Sequence, residues 1–416
     1  MTAEKKRPLR VLQFGGGVFL RGFFDWMLQK ANDCGAFCGD ALIVRSRTRG
    51  ADPLAENHYR YTHIAADATH RDVTEVDCIR GSVCAAKDWN GFLATAENGE
   101  IEVVVSNTTE RGIEYRPCPY APDTCPESFP AKLTYWLYRR FTHGGKGVLI
   151  LPLELIGQNG DTLREYVLRH AADFALPAAF SDWVRGECSF RNTLVDRIVS
   201  GTREGEPTVN RSEFFHLFVI EGERDPRLPF DRVEGLDVRF VPSVIPYATR
   251  KVRLLNGAHT SMIPYALLLH TETVFDCMQN PVLAAHLAAC TGEIIVSLGE
   301  EREEAERYAA DVAARFCNPE IEHRCRAIAL SSLAKFRVRV VPSILGYEEK
   351  TGKHPVALLK ALAKLIVFYR TGTPEDAPED ICRVRELSTE KLLADTALWG
   401  ADLSRFSGEV SALENS

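Results

Sequence analysis

The sequence predicts an α/β protein in which a doubly wound parallel sheet is followed by a domain made only of helices. Short apolar runs alternate with helical stretches over residues 9–105, and strands separated by helices form a parallel sheet. After about Ile245, apolar residues recur almost only at helical spacing. The chain has 416 residues, more than one ordinary core holds. We therefore predict two domains, residues 1–245 and 246–416.

The strands of the first domain are predicted from short apolar runs rich in β-branched residues. These runs cover 9–14, 41–44, 73–84, 101–105, 147–153, 214–220 and 238–241. Apolar residues at helical spacing predict the helices of this domain, which cover 19–32, 89–97, 131–141, 161–173 and 180–183.

The same spacing predicts the helices of the second domain. They cover 253–269, 282–298, 301–316, 326–345 and 355–369. The tail beyond Thr371 is polar and predicts one further helix, over 389–394.

Charge and composition narrow the class of partner. The formal net charge is −7, so no basic excess is present to neutralise the phosphates of a nucleic acid. No apolar run approaches the roughly 20 residues of a membrane span, and the charged N-terminus lacks the apolar core of a signal peptide. We expect a cytoplasmic protein with a small-molecule partner and neither a nucleic-acid nor a membrane partner. The oligomeric state does not follow from the sequence.

The twelve cysteines are scattered, without a CxxC pair or histidines at zinc spacing. In a chain without an export signal they are expected to be reduced thiols, and no metal site is predicted. A site formed by Cys118 and Cys125 is the weaker alternative.

A run of glycines marks the first strand-to-helix connection. Gly15, Gly16 and Gly17 follow the first strand and precede a helix. Glycine allows a sharp turn and close approach of a pyrophosphate, and the helix N-terminus offers free N–H groups. The full GxGxxG fingerprint is not met, because Leu20 occupies its third glycine position and Gly22 follows two residues later. A plain turn is the alternative, but the position in the first βα unit favours a Rossmann-like, dinucleotide-binding domain.

The end of the second strand normally carries an acid that binds a ribose hydroxyl of NAD. Here Arg45, Arg47 and Arg49 occur instead, with no acid among them. Arginine at this place can hold the 2′-phosphate of NADP, although these side chains can also be solvated. We expect NAD as the cofactor and leave NADP open.

A candidate catalytic cluster opens the helical domain. Asn256 and His259 are three residues apart and share a helix face, and Lys251 precedes His259 by about two turns. Reduction of a carbonyl needs a proton donor and groups that hold the oxygen, and these residue types can supply both. Spacing alone favours the alternative, three unrelated polar residues on an exposed helix face.

Six longer motifs occur in order along the chain. They are LQFGGGVFLRGFFDW at 12–26, VSNTTERGIEY at 105–115, LELIGQNGDTLREYVL at 153–168, NTLVDRIVSG at 192–201, KVRLLNGAHT at 251–260 and AKFRVRVVPSIL at 334–345. With these motifs the chain resembles the polyol-specific long-chain dehydrogenase family, also called the mannitol dehydrogenase family. The resemblance extends from residue 11 to about residue 403. Its most specific part is KVRLLNGAHT, which matches the family's Lys-x4-Asn-x2-His signature.

The resemblance implies a role for each matching residue. The family needs no metal and uses a lysine as acid/base, which implies this role for Lys251. Asn256 and His259 match the residues that polarise and orient the substrate, and Asn192 matches a substrate contact. The implied cofactor-binding residues are Gly15, Gly17, Phe19, Leu20, Asn107 and Thr109.

An arginine is expected to bind a substrate carboxylate, because its planar guanidinium pairs with a carboxylate through two bonds. Arg337 in the helical domain is our candidate, with Arg253 and Arg191 as rivals. The alternative for Arg337 is a solvated charge on a helix surface.

The resemblance implies hydride transfer from NADH to a keto-uronate, with D-tagaturonate reduced to D-altronate. A fructuronate, mannitol or ketose reductase on the same scaffold is the alternative enzyme. A dinucleotide-binding module without activity is the alternative of another class.

Overall fold

The computed structural model describes residues 7–45, 53–108, 112–299 and 302–415. The chain divides into two compact units, Met1–Val244 and Ile245–Ser416. The predicted division at 245/246 lies beside this boundary. All the strands that the structure describes lie in unit 1, and unit 2 is helical over its described part.

Unit 1 is built around a parallel sheet of six strands. These are β1 Leu9–Phe14, β2 Asp40–Arg45, β5 Ile79–Cys84, β6 Val103–Ser106, β7 Leu149–Pro152 and β8 Ser189–Phe190. Their order is β5-β2-β1-β6-β7-β8, and every neighbouring pair is parallel. The order reverses between β1 and β6, as in doubly wound nucleotide-binding sheets.

Both faces of this sheet are buried. Val103 and Val105 of β6 belong to one apolar core, and Val104 between them belongs to the core on the opposite face. Successive side chains of a strand point to opposite faces, so an uninterrupted apolar strand needs cover on both. The predicted Rossmann-like doubly wound sheet is confirmed.

Seven strands form two smaller sheets in unit 1. These strands are β3 Tyr61–Ala66, β4 Arg71–Val76, β9 Thr193–Asp196, β10 Val199–Arg203, β11 Glu206–Glu213, β12 Leu217–Glu221 and β13 Val238–Val241. One sheet has the order β10-β11-β3-β4 and the other β13-β12-β9. The predicted strand region 73–84 therefore contains two strands that belong to different sheets.

The described helices of unit 1 are α1 Val18–Gly22, α2 Phe24–Asp33, α3 Pro53–Glu56, α4 Trp89–Ala94, α5 Phe129–Thr142, α6 Asn159–Asp173 and α7 Ala178–Glu187. The prediction of one helix over 19–32 was wrong, because the helix breaks at Phe23. The Tyr61 hydroxyl donates to the Arg21 carbonyl, and the Arg197 guanidinium donates to the Gly22 carbonyl, each at 2.8 Å. Side chains that take these carbonyls interrupt the helical ladder.

Unit 2 begins with one continuous helical rod of changing pitch. It consists of α8 Ile245–Arg250, a π-helical turn Lys251–Asn256 and α9 Gly257–Leu268. The other described helices are α10 Val274–Gln279, α11 Pro281–Leu298, α12 Arg302–Phe316, α13 Cys325–Ile328, α14 Ser332–Arg339, α15 Val341–Thr351, α16 Val356–Thr371, α17 Pro378–Glu386, α18 Thr389–Leu393, α19 Thr396–Trp399 and α20 Ser407–Glu414. The predicted all-helical domain is confirmed.

Two helix predictions in unit 2 were wrong in detail. The stretch 326–345 is divided among α13, α14 and α15, with Ser331 at φ 52° and Pro342 in the first turn of α15. The described part of the tail holds four α-helices and a short 3-10 helix rather than one helix. Side-chain caps start two of these helices, from Ser388 and Asp395, and such local signals are weak in the sequence.

Helix α11 has a mean hydropathy of 1.6 and is, by length and composition, able to cross a membrane. This is weak evidence, because core helices satisfy the same criterion. Within unit 2, α11 packs against α9, α15 and α16. Its Glu293 carboxylate accepts the backbone N–H groups of Ala357 and Leu358, at 3.0 and 2.8 Å.

His216 of unit 1 is a buried, neutral imidazole. Its Nδ1 donates to the Phe214 carbonyl, and its Nε2 accepts the Asp237 amide, both at 3.1 Å. The ring packs edge-on against Trp26. Burial, with the Arg197 charge, lowers the pKa of His216 to about 4.

We predict that His216 makes the fold acid-sensitive. Because its pKa is lower in the folded state than the ordinary 6.5, its stabilisation is present above pH 6.5 and is lost as the pH falls towards 4. Between pH 7 and pH 5 this single group removes about 2 kcal/mol from the free energy of unfolding. His216→Gln should reduce the pH dependence by about that amount in urea titrations at the two pH values. The exposed His143→Gln is the control for the exchange, and equal slopes for the two variants would contradict the prediction.

Candidate functional site

The turn after β1 leaves no room for a side chain at its first glycine. Gly15 has φ 113°, and a Cβ there would lie 2.8 Å from the carbonyl oxygen of Asn107. The backbone N–H of Asn107 donates to the Phe14 carbonyl at 3.0 Å, so the segments that follow β1 and β6 are in contact. These strands flank the point where the sheet order reverses, and ligands of such sheets bind outside the strand ends at that point.

Gly17 provides the open part of this turn. It is exposed, it is the N-cap of α1 without a side-chain cap, and a Cβ there would meet no atom within 4 Å. A close backbone turn beside open space at a helix start fits the approach of a pyrophosphate. The residues present therefore fit a dinucleotide.

Two residues predicted for the cofactor site lie behind the turn. Leu20 is buried, with its Cδ1 3.2 Å from the Cβ position of Gly15, and Phe19 stacks on Phe23 with ring centroids 5.1 Å apart. Both support the turn by packing. Gly22 has a different role, because a Cβ there would lie 2.8 Å from Nδ2 of Asn210. It lets α1 pack closely against the sheet that contains β11.

A buried carboxylate that the sequence analysis missed fixes the loop after β6. Glu154 accepts the Ser106 hydroxyl at 2.9 Å and both the amide and the hydroxyl of Thr108, at 2.9 and 2.8 Å. Burial raises the pKa of Glu154. The Asn107 side chain donates to the Leu153 carbonyl at 3.0 Å. Thr109, the next predicted residue, lies outside the described residues.

The part of the cofactor site that would distinguish NAD from NADP is described only at Arg45. This residue ends β2, and Arg47 and Arg49 lie outside the described residues.

Asn192, the predicted substrate contact, is buried in unit 1. Its Nδ2 donates to carboxylate oxygens of Asp161 and Glu221, at 2.8 and 3.0 Å, and its Oδ1 accepts the Asp161 amide at 3.0 Å. The protein thus satisfies both N–H groups of this amide. The structure shows it holding β9 to α6 and β12.

The signature residues of unit 2 lie on the π-helical turn and the helix that continues it. The Gly257 amide donates to the carbonyl of Val252, which is the i to i+5 bond of a π-helix. A π-helical turn brings residues five apart to one side, so Lys251 and Asn256 share a side of the rod. His259 follows in the first turn of α9. Lys251 and Asn256 are half-buried, whereas His259 is 6% exposed.

The His259 ring lies in an apolar but electropositive setting. It packs on Phe316 in a tilted contact with centroids 4.1 Å apart, and His323 lies edge-on at 4.9 Å. Burial, followed by the charges of His323, Arg315 and Arg339, lowers the pKa of His259 well below its ordinary value.

The neutral His259 ring presents a hydrogen-bond acceptor. A hydrogen bond joins the ring to the backbone of Leu255, and buried Nε2 has no partner within the described part of the chain. With Nδ1 donating to Leu255, Nε2 carries the lone pair.

The three arginines considered for a substrate carboxylate have different surroundings. Arg337 is exposed on α14 and donates to the Ala397 carbonyl at 3.1 Å, so it is not brought to the signature residues. Arg253 donates to the hydroxyls of Ser343 and Ser297, at 2.6 and 3.1 Å, and ties the π-helical turn to α15 and α11. Arg191 lies in unit 1, where its Nη1 donates to the Glu221 carbonyl at 3.5 Å.

Two family domains match nearly the whole chain. Residues 9–230 match the mannitol dehydrogenase Rossmann domain, and residues 243–414 match the mannitol dehydrogenase C-terminal domain.

Curated relatives match over almost their full length. The altronate oxidoreductase of Klebsiella pneumoniae (strain 342) is 36% identical, with 97% of this chain and 92% of the relative covered. The altronate oxidoreductase of Escherichia coli O6:K15:H31 is 35% identical, with 98% and 93% covered.

Two solved structures share the fold. The Pseudomonas fluorescens mannitol 2-dehydrogenase, in a ternary complex with NAD and D-mannitol, has a TM-score of 0.72 at 19% identity, with 98% of this chain and 91% of that chain covered. A substrate-free D-sorbitol dehydrogenase has a TM-score of 0.81 at 18% identity, with 98% and 93% covered.

We predict that Gly15→Ala weakens NADH binding by at least about tenfold, because the new methyl group meets both an unfavourable φ and the Asn107 carbonyl. Fluorescence titration with NADH measures this effect. Gly99→Ala is the control, since Gly99 is exposed and a Cβ there meets nothing within 4 Å. Unchanged NADH affinity in a folded Gly15→Ala protein would show that the turn does not approach the cofactor.

Proposed function

Because the chain belongs to the mannitol dehydrogenase family, we propose that it is a nicotinamide-dependent oxidoreductase that reduces the keto group of a sugar acid, D-tagaturonate to D-altronate. The observation that carries the proposal is the Lys251, Asn256 and His259 signature on a π-helical turn. It occurs in a chain 36% identical, over 97% of its length, to an altronate oxidoreductase. We place the reaction in the cytoplasm, with a sugar acid as the only partner proposed.

The cofactor is proposed to bind at the turn after β1 and the loop after β6. Gly15 and Gly17 would admit the pyrophosphate, and Asn107 would lie near the nicotinamide ribose. Phe19 and Leu20 support the turn, and Thr109 is assigned by the resemblance alone. When bound, the reduced nicotinamide supplies the hydride. We propose NAD as the cofactor. Because Arg45 at the end of β2 is of the residue type that binds the 2′-phosphate of NADP, NADPH is assayed beside NADH.

The proton chemistry is assigned to unit 2. Protonated Lys251 donates to the substrate oxygen as the carbonyl becomes an alkoxide, and neutral Lys251 accepts that proton in the reverse direction. The Asn256 amide donates to the same oxygen and stabilises its developing charge. Since Nε2 of neutral His259 is an acceptor, we assign it to a hydroxyl of the sugar beside the reacting carbon.

The proposed pairing of a donor amide with an acceptor imidazole orients the sugar. Asn256 and His259 would then select a ketone with an adjacent hydroxyl. The Asn256 amide donates to the ketone oxygen, and His259 Nε2 accepts from the hydroxyl. The direct substrate contact predicted for Asn192 stays a prediction.

We predict that Lys251→Ala lowers kcat with D-tagaturonate and NADH by about 1,000-fold, since a positioned general acid contributes a factor of this order. The NADH dissociation constant should stay within about threefold, because no cofactor role is assigned to this lysine. Steady-state assays and fluorescence titration measure the two quantities. Lys391→Ala, an exposed lysine on α18, is the exchange control. Near-wild-type turnover of Lys251→Ala would exclude the proposed acid.

A substrate panel tests the proposed reaction against its alternatives. We expect kcat/KM to be highest for D-tagaturonate, lower for D-fructuronate and lowest for D-fructose, each assayed with NADH and NADPH. Fructose turnover equal to that of the uronates would contradict a sugar-acid enzyme. NADH binding without oxidation by any of these ketones would indicate an inactive dinucleotide-binding module.

A further inference from the structure

We infer that Arg339 binds the carboxylate of the sugar acid and is the residue that makes the enzyme select an acid over a neutral ketose. This inference rests on the proposed function and adds to it the residue that binds the carboxylate of the substrate.

Arg339 is the last residue of α14, and this helix packs against α9 and the π-helical turn. Its Nη1 donates to the hydroxyl of Thr260 at 3.4 Å, and Thr260 directly follows His259 in the chain. Its backbone carbonyl lies 3.2 Å from the Cβ position of Gly257. Both ends of Arg339 therefore contact the helical segment that carries Asn256 and His259.

The charge around His259 is suited to an anion. Arg315 and Arg339 contribute positive potential at its ring, whereas burial lowers the pKa of His323 and favours its neutral form. A neutral polyol gains little from such a field, whereas a carboxylate is stabilised by it and pairs with a guanidinium through two parallel hydrogen bonds. The buried, unsatisfied Nε2 of His259 indicates that a polar ligand group belongs at the same place.

Neighbouring arginines are less suited to the contact. Arg337, two residues earlier on α14, turns to the surface and donates to the Ala397 carbonyl. Arg253 is engaged by two serine hydroxyls, and Arg315 is only 7% exposed. Arg339 is half-buried, and its Nη1 lies at the hydroxyl of Thr260, the residue that follows His259.

The test compares two substrates that differ only in the group that Arg339 is proposed to bind. D-Tagaturonate carries a carboxylate where D-tagatose carries a hydroxymethyl group. Arg339→Met keeps the aliphatic stem and removes the charge. We expect its kcat/KM for D-tagaturonate to fall roughly 30- to 100-fold, mainly through KM, because a charge-assisted bond is lost while the reacting centre is unchanged. Its kcat/KM for D-tagatose should stay within about threefold of wild type, since that substrate has no carboxylate to lose.

Three further variants sharpen the result. Arg339→Lys should recover part of the activity on D-tagaturonate, because an ammonium keeps the charge but not the planar fork. Arg337→Met tests the rival residue on the same helix. Arg307→Met, an exposed arginine on α12, controls for the exchange itself.

Each outcome decides the assignment. Equal losses on both substrates, or no loss on D-tagaturonate, would overturn it, and so would a selective loss in Arg337→Met. If thermal melting shows that Arg339→Met does not fold, Arg339→Lys decides: a raised KM for D-tagaturonate with kcat retained supports the contact, and an unchanged KM overturns it.

The inference and the proposed function fail in different ways. If wild-type enzyme reduces D-tagaturonate no better than D-tagatose, the proposed function fails. If the wild type selects D-tagaturonate and Arg339→Met selects it equally well, only the assignment of Arg339 fails.

Discussion

The parallel pairing of β1 with β6 is the interaction on which the cofactor half of the protein depends. It allows the backbone N–H of Asn107 to donate to the Phe14 carbonyl, and it places Gly15 in close contact with the backbone carbonyl of Asn107. Because both strands are covered on both faces by apolar cores, their ends are fixed relative to each other. The polar contacts of Glu154 then fix the loop that leaves β6. A rigid sheet edge with one open turn is what a dinucleotide site requires.

The catalytic half depends on a different kind of constraint. A π-helical turn has weaker backbone geometry than an α-helix and persists where neighbouring structure maintains it. Arg253 supplies such support from within the turn, through the Ser343 and Ser297 hydroxyls. The guanidinium is half-buried and burial lowers its pKa to about 10, so its hydrogen bonds offset a cost of desolvation. The turn that positions Lys251 and Asn256 is thereby attached to two helices.

The sequence predicted the main sheet because its central strands are continuous apolar runs, as strands buried on both faces must be. It missed β3, β8, β9, β10 and β11. In β3 and β11 buried positions are polar, as at His63, Asn210 and Ser212. Their hydrogen bonds to one another, such as His63 to Ser212 at 3.0 Å, replace the apolar pattern. A polar interior of this kind gives no periodic signal.

The candidate site was predictable where its residues are close in sequence. The glycines after β1 and the Lys251 to His259 signature are local motifs, whereas Glu154 acts on Thr108 across 46 residues. From the sequence we proposed Arg337 for the carboxylate and did not consider Arg339, because spacing does not show which side of α14 packs inward. Which side of α14 faces α9 is set by how that helix packs, and the break after Arg339 is set in part by Pro342 in the next helix.

The π-helical turn also restricts how the gene can change. An α-helix advances about 100° per residue, so at the present length a regular α-helix would place Lys251 about 140° around the rod from Asn256. Such a chain would keep its helical rod while losing the alignment of its proton donor. The segment therefore tolerates substitutions that keep the π-helical pitch, and a substitution that converts the turn to an α-helix is expected to separate folding from catalysis.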